Sequence, residues 1–327
     1  MPVKIKQTVL RLPRLRGLRR MIEATGVRTI FPFYHTVSDA PDPCITPIYR
    51  HRTVKEFESD LDWLCGRFEP VSLETLLSES NSTKPRMVLS FDDGLLSCYE
   101  LIAPILKKKG IPAQFYLNND FIGNKGLFYR YLAALLSTEV SRKGRDAEKK
   151  EIAHLLNTSP PLLRQALLKV GYPEKDKLEK AASLLGFSVT DYLAANPVYM
   201  NEEQIRSLMN DGFEIGGHTA DHPMLGELTS EKIIAEIRKS MHDLESRFAP
   251  GYRYFAFPFS DLRVPEHVMV WLFEEKVIDA AFGTSGMKEH WHPQLFQRIP
   301  MEIAPYKARQ IIKGEYQYYL LKKLLRT

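Results

Sequence analysis

The sequence predicts an α/β fold, a barrel-like arrangement of βα units with a helical insertion. Three observations point there. Short apolar runs alternate with stretches of helical period along most of the chain. Polar residues stand directly after those runs, as at Asp92, His218 and Pro258, and parallel barrels gather their chemistry at the C-terminal ends of strands. The rhythm breaks once, between roughly 121 and 200, where only helices are read.

Taken in order, residues 29–34 form a first strand ending at His35. Pro32 makes a central ladder position awkward there, so an edge or irregular strand is expected. Residues 36–52 read as a long loop. Residues 53–66 read as a helix, with Thr53 and Glu56 placed for a capping box and Phe57, Leu61 and Leu64 on one face. A polar linker, 78–85, leads to the buried strand 87–91. Residues 98–109 form a helix stopped by Gly110, and 112–117 the next strand. Inside the insertion, Tyr129–Leu136, Asp146–Leu156, Pro161–Lys169 and Lys175–Leu185 are predicted helices. Beyond it come helix 201–210, strand 212–217, the amphipathic helix 229–248, strand 252–257, helix 264–275, strands at 280–282 and 296–299, and a closing helix over 307–327.

A chain of 327 residues with 44% hydrophobic content has the make-up of an ordinary globular protein and the length of one large domain or two small ones. Cys44, Cys65 and Cys98 form neither a zinc-type pair nor a disulfide framework. The first 20 residues hold seven Lys or Arg and no acid, without the apolar core of an export signal. With no apolar run long enough to span a bilayer, a cytoplasmic protein is expected, at the inner face of the membrane if the basic ends touch lipid. The net charge of +5 conceals +7 in residues 1–20, +5 in residues 307–327 and −7 in the rest. The ends therefore suit a solvated surface or peripheral membrane contact; no motif supports nucleic-acid binding.

Asp92-Asp93-Gly94 and His218-Thr219-Ala220-Asp221-His222 carry the chemistry. At a strand end Gly94 lets the backbone turn, so one carboxylate can face a metal and the other a water. Two imidazoles four residues apart, after Gly216-Gly217, complete a ligand set for zinc or a related divalent ion. Taken alone, each cluster reads more readily as a solvated turn or two surface histidines than as a metal site.

In combination and in order, these segments resemble the polysaccharide deacetylase family, the NodB-homology or carbohydrate esterase family 4 group. Ser90-Phe91-Asp92-Asp93-Gly94 is similar to its first motif and His218–His222 to its second. Tyr254-Phe255-Ala256-Phe257-Pro258-Phe259 is similar to its third, Tyr34-His35-Thr36-Val37 to its opening, and Gly283–Gly286 and Arg298–Met301 to its closing segments. The resemblance implies a single catalytic domain, 1–327, a distorted (β/α)7-type barrel that includes the helical insertion 121–200 and the C-terminal helix 307–327, and hydrolytic removal of an N-acetyl group from an amino sugar of a glycan or its precursor. It implies Asp92 as catalytic base; Asp93, His218 and His222 as ligands of one divalent metal, zinc before cobalt or nickel; and Tyr34, Thr219, Phe257, Pro258 and Phe259 around the substrate. Two family features lack their usual counterparts: the third-motif arginine, with only Arg253 nearby, and the late Leu-x-His general acid. His35 is the first candidate for that acid, ahead of His290 and His292. The alternatives are hydrolysis of a non-sugar C–N amide on the same fold, and an inactive carbohydrate-binding module.

Overall fold

The computed structural model describes residues 17–78, 82–142, 144–288 and 292–325. Its main sheet contains β2 (Pro32–Tyr34), β5 (Leu89–Phe91), β6 (Ala113–Leu117), β7 (Glu214–Gly217), β8 (Tyr254–Ala256), β9 (Ala280–Gly283), β10 (Leu295–Gln297) and β11 (Ile299–Pro300). They run β10-β9-β8-β7-β6-β5-β2-β11, every pair parallel. β10 and β11 are separated only by Arg298, so this single run lies on β9 with its first half and on β2 with its second. Arg298 N donates to Gly283 O at 3.1 Å, and Ile299 N to Phe31 O at 2.7 Å. The sheet thus curls on itself into a distorted (β/α) barrel, as expected.

Below the barrel, β1 (Thr29–Ile30), β4 (Arg86–Met87) and β3 (Glu69–Pro70) make a small parallel sheet in the order β1-β4-β3. β1 continues into β2 and β4 into β5, each interrupted by one residue. Pro32 marks the first interruption, so the irregularity expected from it is present. The edge position is not: β2 pairs on both sides, with β5 and β11. Neighbouring carbonyls Phe31 O and Phe33 O still accept from Ile299 and Met301, so the missing Pro32 N–H costs one rung rather than the strand.

Strand alternation sorts the core into two layers. Phe31, Val88, Tyr116, Tyr254, Ala256, Ala280 and Phe282 point inward and pack with Val71 and Leu73 from the segment below. Ile30, Tyr34, Leu89, Phe91, Phe115, Ile215, Phe255 and Ile299 point outward against the helices. Gly216 has the inward register, and a Cβ there would lie 2.5 Å from the Tyr116 ring and 2.7 Å from Tyr254 O, so the chain needs glycine to let β6, β7 and β8 meet.

The helices follow their local signals. Val54–Cys65 begins with the full Thr53–Glu56 capping box, and Glu202–Asn210 with one formed by Asn201 and Gln204. The predicted helix at 98–109 opens instead as a π-turn over Cys98–Ile102, then becomes α over Ala103–Lys109 and ends at Gly110, φ 65°. The insertion holds the expected helices Tyr129–Glu139, Asp146–Leu155, Leu163–Lys169 and Asp176–Leu184, and a further one, Val189–Ala195, whose single apolar turn gives little periodic signal. Leu18–Thr25 and Leu73–Ser78 are likewise helical, each too short for its pattern to be read. The C-terminal helix Ala308–Leu325 buries Ile311, Ile312 and Tyr316 against Leu18–Thr25 and Val54–Cys65 and leaves Leu324 72% exposed. The basic run of residues 1–16 lies outside the described residues. Among those described, no helix is long and apolar enough to cross a membrane.

Candidate active site

The strand ends bring Asp93, His218 and His222 together although 125 residues separate the first two by number. Their ligand atoms lie within 4.8 Å of one another, and all three are buried. Asp93 Oδ1 is 3.5 Å from His218 Nε2 and 3.3 Å from His222 Nε2. The donor set fits a divalent cation on a hydrogen-bond argument. His218 Nδ1 lies 2.7 Å from Ala256 O, which can only accept, so Nδ1 carries the proton. Burial holds the ring neutral, lowering its pKa to about 4 against the opposing charge of Asp92, and Nε2 then presents a lone pair. Asp93 Oδ1 is buried and accepts no hydrogen bond. A lone pair on nitrogen facing a carboxylate oxygen in a buried space is a cation's environment. Burial opposes the charge on Asp93, but the imidazoles of His222, His35 and His218 outweigh it and hold the carboxyl well below the ordinary carboxylate range.

The backbone is strained to build this cluster. Asp93 (φ 73°), Thr219 (φ 69°), His222 (φ 60°) and Phe259 (φ 56°) all occupy the left-handed region without being glycine. The Asp93-Gly94 turn is what separates the two neighbouring carboxylates: Asp92 keeps the inward register of Val88 and Ser90, and Asp93 swings to the histidines. The 218–222 loop is tied down by Asn118 Nδ2 donating to Thr219 O, by Asp120 N donating to Ala220 O at 3.1 Å, and by Ala220 N donating to Glu236 at 2.7 Å.

Asp92 stands beside the cluster, its Oδ2 3.9 Å from His218 Nε2. Its partner is Arg298, which donates Nη1 to Oδ1 at 2.6 Å and Nη2 to Oδ2 at 2.8 Å. Both side chains are sealed, Arg298 at 0% and Asp92 at 2% exposure. The guanidinium also lies 4.4 Å above the Phe33 ring. Burial pushes the Asp92 carboxyl up, and Arg298, by charge and hydrogen bond, with added pull from His218 and His35, brings it below its ordinary value, so the carboxylate stays ionised.

A family model described as "Polysaccharide deacetylase" matches residues 79–166 and 176–267, more than half of the chain. The chain belongs to the polysaccharide deacetylase family. A Bacillus subtilis (strain 168) protein, the polysaccharide deacetylase candidate YxkH, is 25% identical over 211 residues, 62% of this chain and 67% of its own. Two solved structures share the fold. IcaB from Ammonifex degensii is 15% identical, with TM-score 0.56 over 89% of this chain and 98% of that one. The Streptococcus pyogenes deacetylase PplD, solved with acetate, is 13% identical, with TM-score 0.57 over 88% and 98%.

In this polysaccharide deacetylase, His35 follows β2, its side chain 29% exposed, and feels the charges of Asp93 and Asp92. Its Nδ1 lies 2.5 Å from Glu302 Oε2, and the same carboxylate accepts from the backbone N–H of His35 and Thr36 at 3.0 and 3.2 Å. Burial favours the neutral ring, but the Glu302 carboxylate, with smaller help from Asp93 and Asp92, outweighs it and raises the pKa to about 9. His292 stacks on Phe273 at 4.0 Å and has no part in this arrangement; His290 lies outside the described residues.

The residues expected around the substrate divide by strand register. Phe259 is at the mouth, its ring 4.8 Å from that of His222 and 5.6 Å from the Arg130 guanidinium. Pro258 is buried beside it, and Thr219 shapes the loop by accepting from His222 N at 3.1 Å. Tyr34 and Phe257 must be corrected. Both have the outward register and are fully buried: Tyr34 stacks on Phe91 and its hydroxyl donates to Asp60, while Phe257 packs edge-on to Phe255. Arg253 pairs with Asp279 and does not reach the site.

Sequence reasoning missed Arg298, Glu302, Tyr131 and Phe128. Arg298 carried a usable signal, a charge in the middle of an apolar strand run, Leu295–Pro300. Tyr131, donating to Asp93 Oδ2 at 2.8 Å, and Phe128, 4.4 Å from the His222 ring, lie in the insertion and carry none.

Proposed function

We propose that this polysaccharide deacetylase is a divalent-metal-dependent hydrolase that removes an N-acetyl group from an amino sugar of a glycan or glycan precursor. The observation that supports this best is the buried triad Asp93, His218 and His222 beside the separate, ionised carboxylate of Asp92. A binding module needs no such arrangement. Asp93, His218 and His222 would hold the ion, with zinc first and cobalt or nickel as alternatives. Bound there, a divalent ion supplies Lewis acidity toward an amide carbonyl and acidifies water.

The protein's own groups supply the proton transfers. Asp92 accepts the proton of the attacking water; Arg298 fixes the plane of that carboxylate and keeps it ionised. His35 turns Nδ1 to Glu302, which leaves Nε2–H for the departing amine. Phe259, backed by the buried Phe128, and Arg130 give a sugar ring an apolar face and a cation to lie against.

The test measures acetate release from N-acetylated oligosaccharides by metal-free, metal-reloaded and Asp92→Asn protein. Release only by the reloaded parent supports the reading. A folded, metal-loaded protein that turns over simple acetamides but no N-acetylated sugar would replace it with the non-sugar amide hydrolase.

A further inference from the structure

The insertion between β6 and β7 is not needed to close the barrel, yet it grips the candidate cation site at two separate points. The first is Tyr131, 1% exposed, on the helix Tyr129–Glu139. Its hydroxyl donates to Asp93 Oδ2 at 2.8 Å. Its ring is held edge-on by Phe128 at 5.0 Å, and Phe128 in turn lies against the His222 ring. The second is at Asp221, which stands between the two histidines in sequence. Tyr172 donates its hydroxyl between Asp221 Oδ1 and Oδ2, at 3.0 and 2.8 Å, and Lys175 Nζ donates to Oδ2 at 2.6 Å.

We propose that the insertion is a working part of the cation site and that Tyr131 is a positioning residue for Asp93. The inference rests on the metal-dependent reading above. By rotation about its Cβ–Cγ bond an aspartate can present either oxygen, or both, to a cation. Tyr131 removes that freedom: it engages Oδ2, and Oδ1, which accepts no hydrogen bond, is left facing His218 Nε2 and His222 Nε2. Partners behind metal ligands orient them and raise affinity roughly 10–100-fold. The Tyr172 and Lys175 contacts act on the other arm, holding the loop whose ends are the two imidazoles. With both grips in place the three donors stand in position before any ion arrives.

The experiment uses the full chain, stripped of metal, as parent, Tyr131→Phe and Lys175→Met. Zinc affinity is read by competition with a chromophoric chelator, cobalt binding by its visible absorption, and the metal-free fold by urea unfolding. Tyr131→Phe keeps the ring and is expected to bind zinc about 10–100-fold more weakly. Its cobalt spectrum should change as Asp93 gains a second free oxygen. Lys175→Met is expected to weaken zinc at least about 3-fold with the cobalt spectrum unchanged, a fraction of the same effect. Equal affinity and an equal spectrum in parent and Tyr131→Phe, even with lower metal-free stability, would overturn the proposal, because a merely structural tyrosine gives that result. If Tyr131→Phe does not fold, Lys175→Met decides, and an unchanged constant there overturns it. A folded parent that binds no ion would instead defeat the metal-dependent reading, and this inference with it.

Discussion

Replacing Arg298 with methionine tests the assignment of Asp92 most directly. The change keeps an apolar stem of similar length and removes the guanidinium, leaving a carboxylate that is 2% exposed without its cation. The two contacts of 2.6 and 2.8 Å imply substantial coupling. Charge centres about 4 Å apart at an effective dielectric of about 20 interact by about 4 kcal/mol. Breaking a buried pair from one side costs about 3–5 kcal/mol. Arg298→Met should therefore lower the unfolding free energy of metal-free protein by about 4 kcal/mol at pH 7, measured by urea titration. The pH dependence gives the sign. In the parent the Asp92 carboxyl is depressed, so its contribution is present above the unfolded value and fades as pH falls through the folded one. In the variant burial is opposed only by the smaller pull of His218 and His35, the carboxyl is expected to rise, and the penalty of a buried charge disappears as pH falls through that raised value. The deficit should shrink on acidification from pH 7. Combining the change with Asp92→Asn should recover about 2 kcal/mol relative to the sum of the single effects. A loss below about 1 kcal/mol, the same at every pH and additive with Asp92→Asn, would refute the reasoning.

Other outcomes follow from the same geometry. His35→Gln should lower kcat by about 10²–10⁴ with the metal still bound, measured by acetate release and metal content. His35 is held protonated to about pH 9, so in the parent both its acid function and its contribution to stability are present at neutral pH and lost as pH rises through about 9. Glu302→Gln should move the alkaline limb of the kcat/KM profile to lower pH, and an unmoved limb would remove His35 from the acid role. Stripping divalent metal should lower the thermal midpoint; ion restored to 100 times its dissociation constant should return about 2.7 kcal/mol, read by calorimetry. Gly216→Ala, whose new methyl would meet Tyr116 and Tyr254 inside the barrel, should cost about 1–3 kcal/mol in urea unfolding.

What could be read from the sequence follows from how local each interaction is. Asp92 and Asp93 are adjacent, and His218 and His222 are four apart, so the triad leaves two compact marks. The helices with caps and long apolar stripes, such as Val54–Cys65 and Ser230–Phe248, were legible for the same reason. The tuning partners are not local. Arg298 is 206 positions from Asp92, and Glu302 is 267 from His35. Only barrel closure, with one run shared between β9 and β2, brings them near. Tyr34 and Phe257 show the opposite failure: they sit beside motif residues, but strand alternation sends neighbours to opposite faces, and adjacency misled.

The same alternation explains why the site has its two parts. Inward-facing positions end in Asp92 above Ser90 and Arg298 above Phe296, the pair to which the proposed reading gives the proton transfer from water, and in His218 above Gly216, the one triad member placed by a strand. They are fixed by the closed barrel and cannot shift without opening it. The triad needs more than this register allows, because Asp93 and His222 leave the strands altogether through left-handed turns. A ligand on a turn has no sheet to hold it, so its position must be imposed from outside the barrel. In this chain Asn118, Asp120 and Glu236 hold the backbone of the 218–222 loop, and the insertion adds Tyr131 on Asp93, Phe128 on His222, and Tyr172 and Lys175 on the loop between the histidines. On the proposed reading, the barrel would set where protons move, and the insertion how firmly a cation is held. Changes in 121–200 should act on metal affinity more than on the pH profile, and changes at Arg298 or Glu302 the reverse.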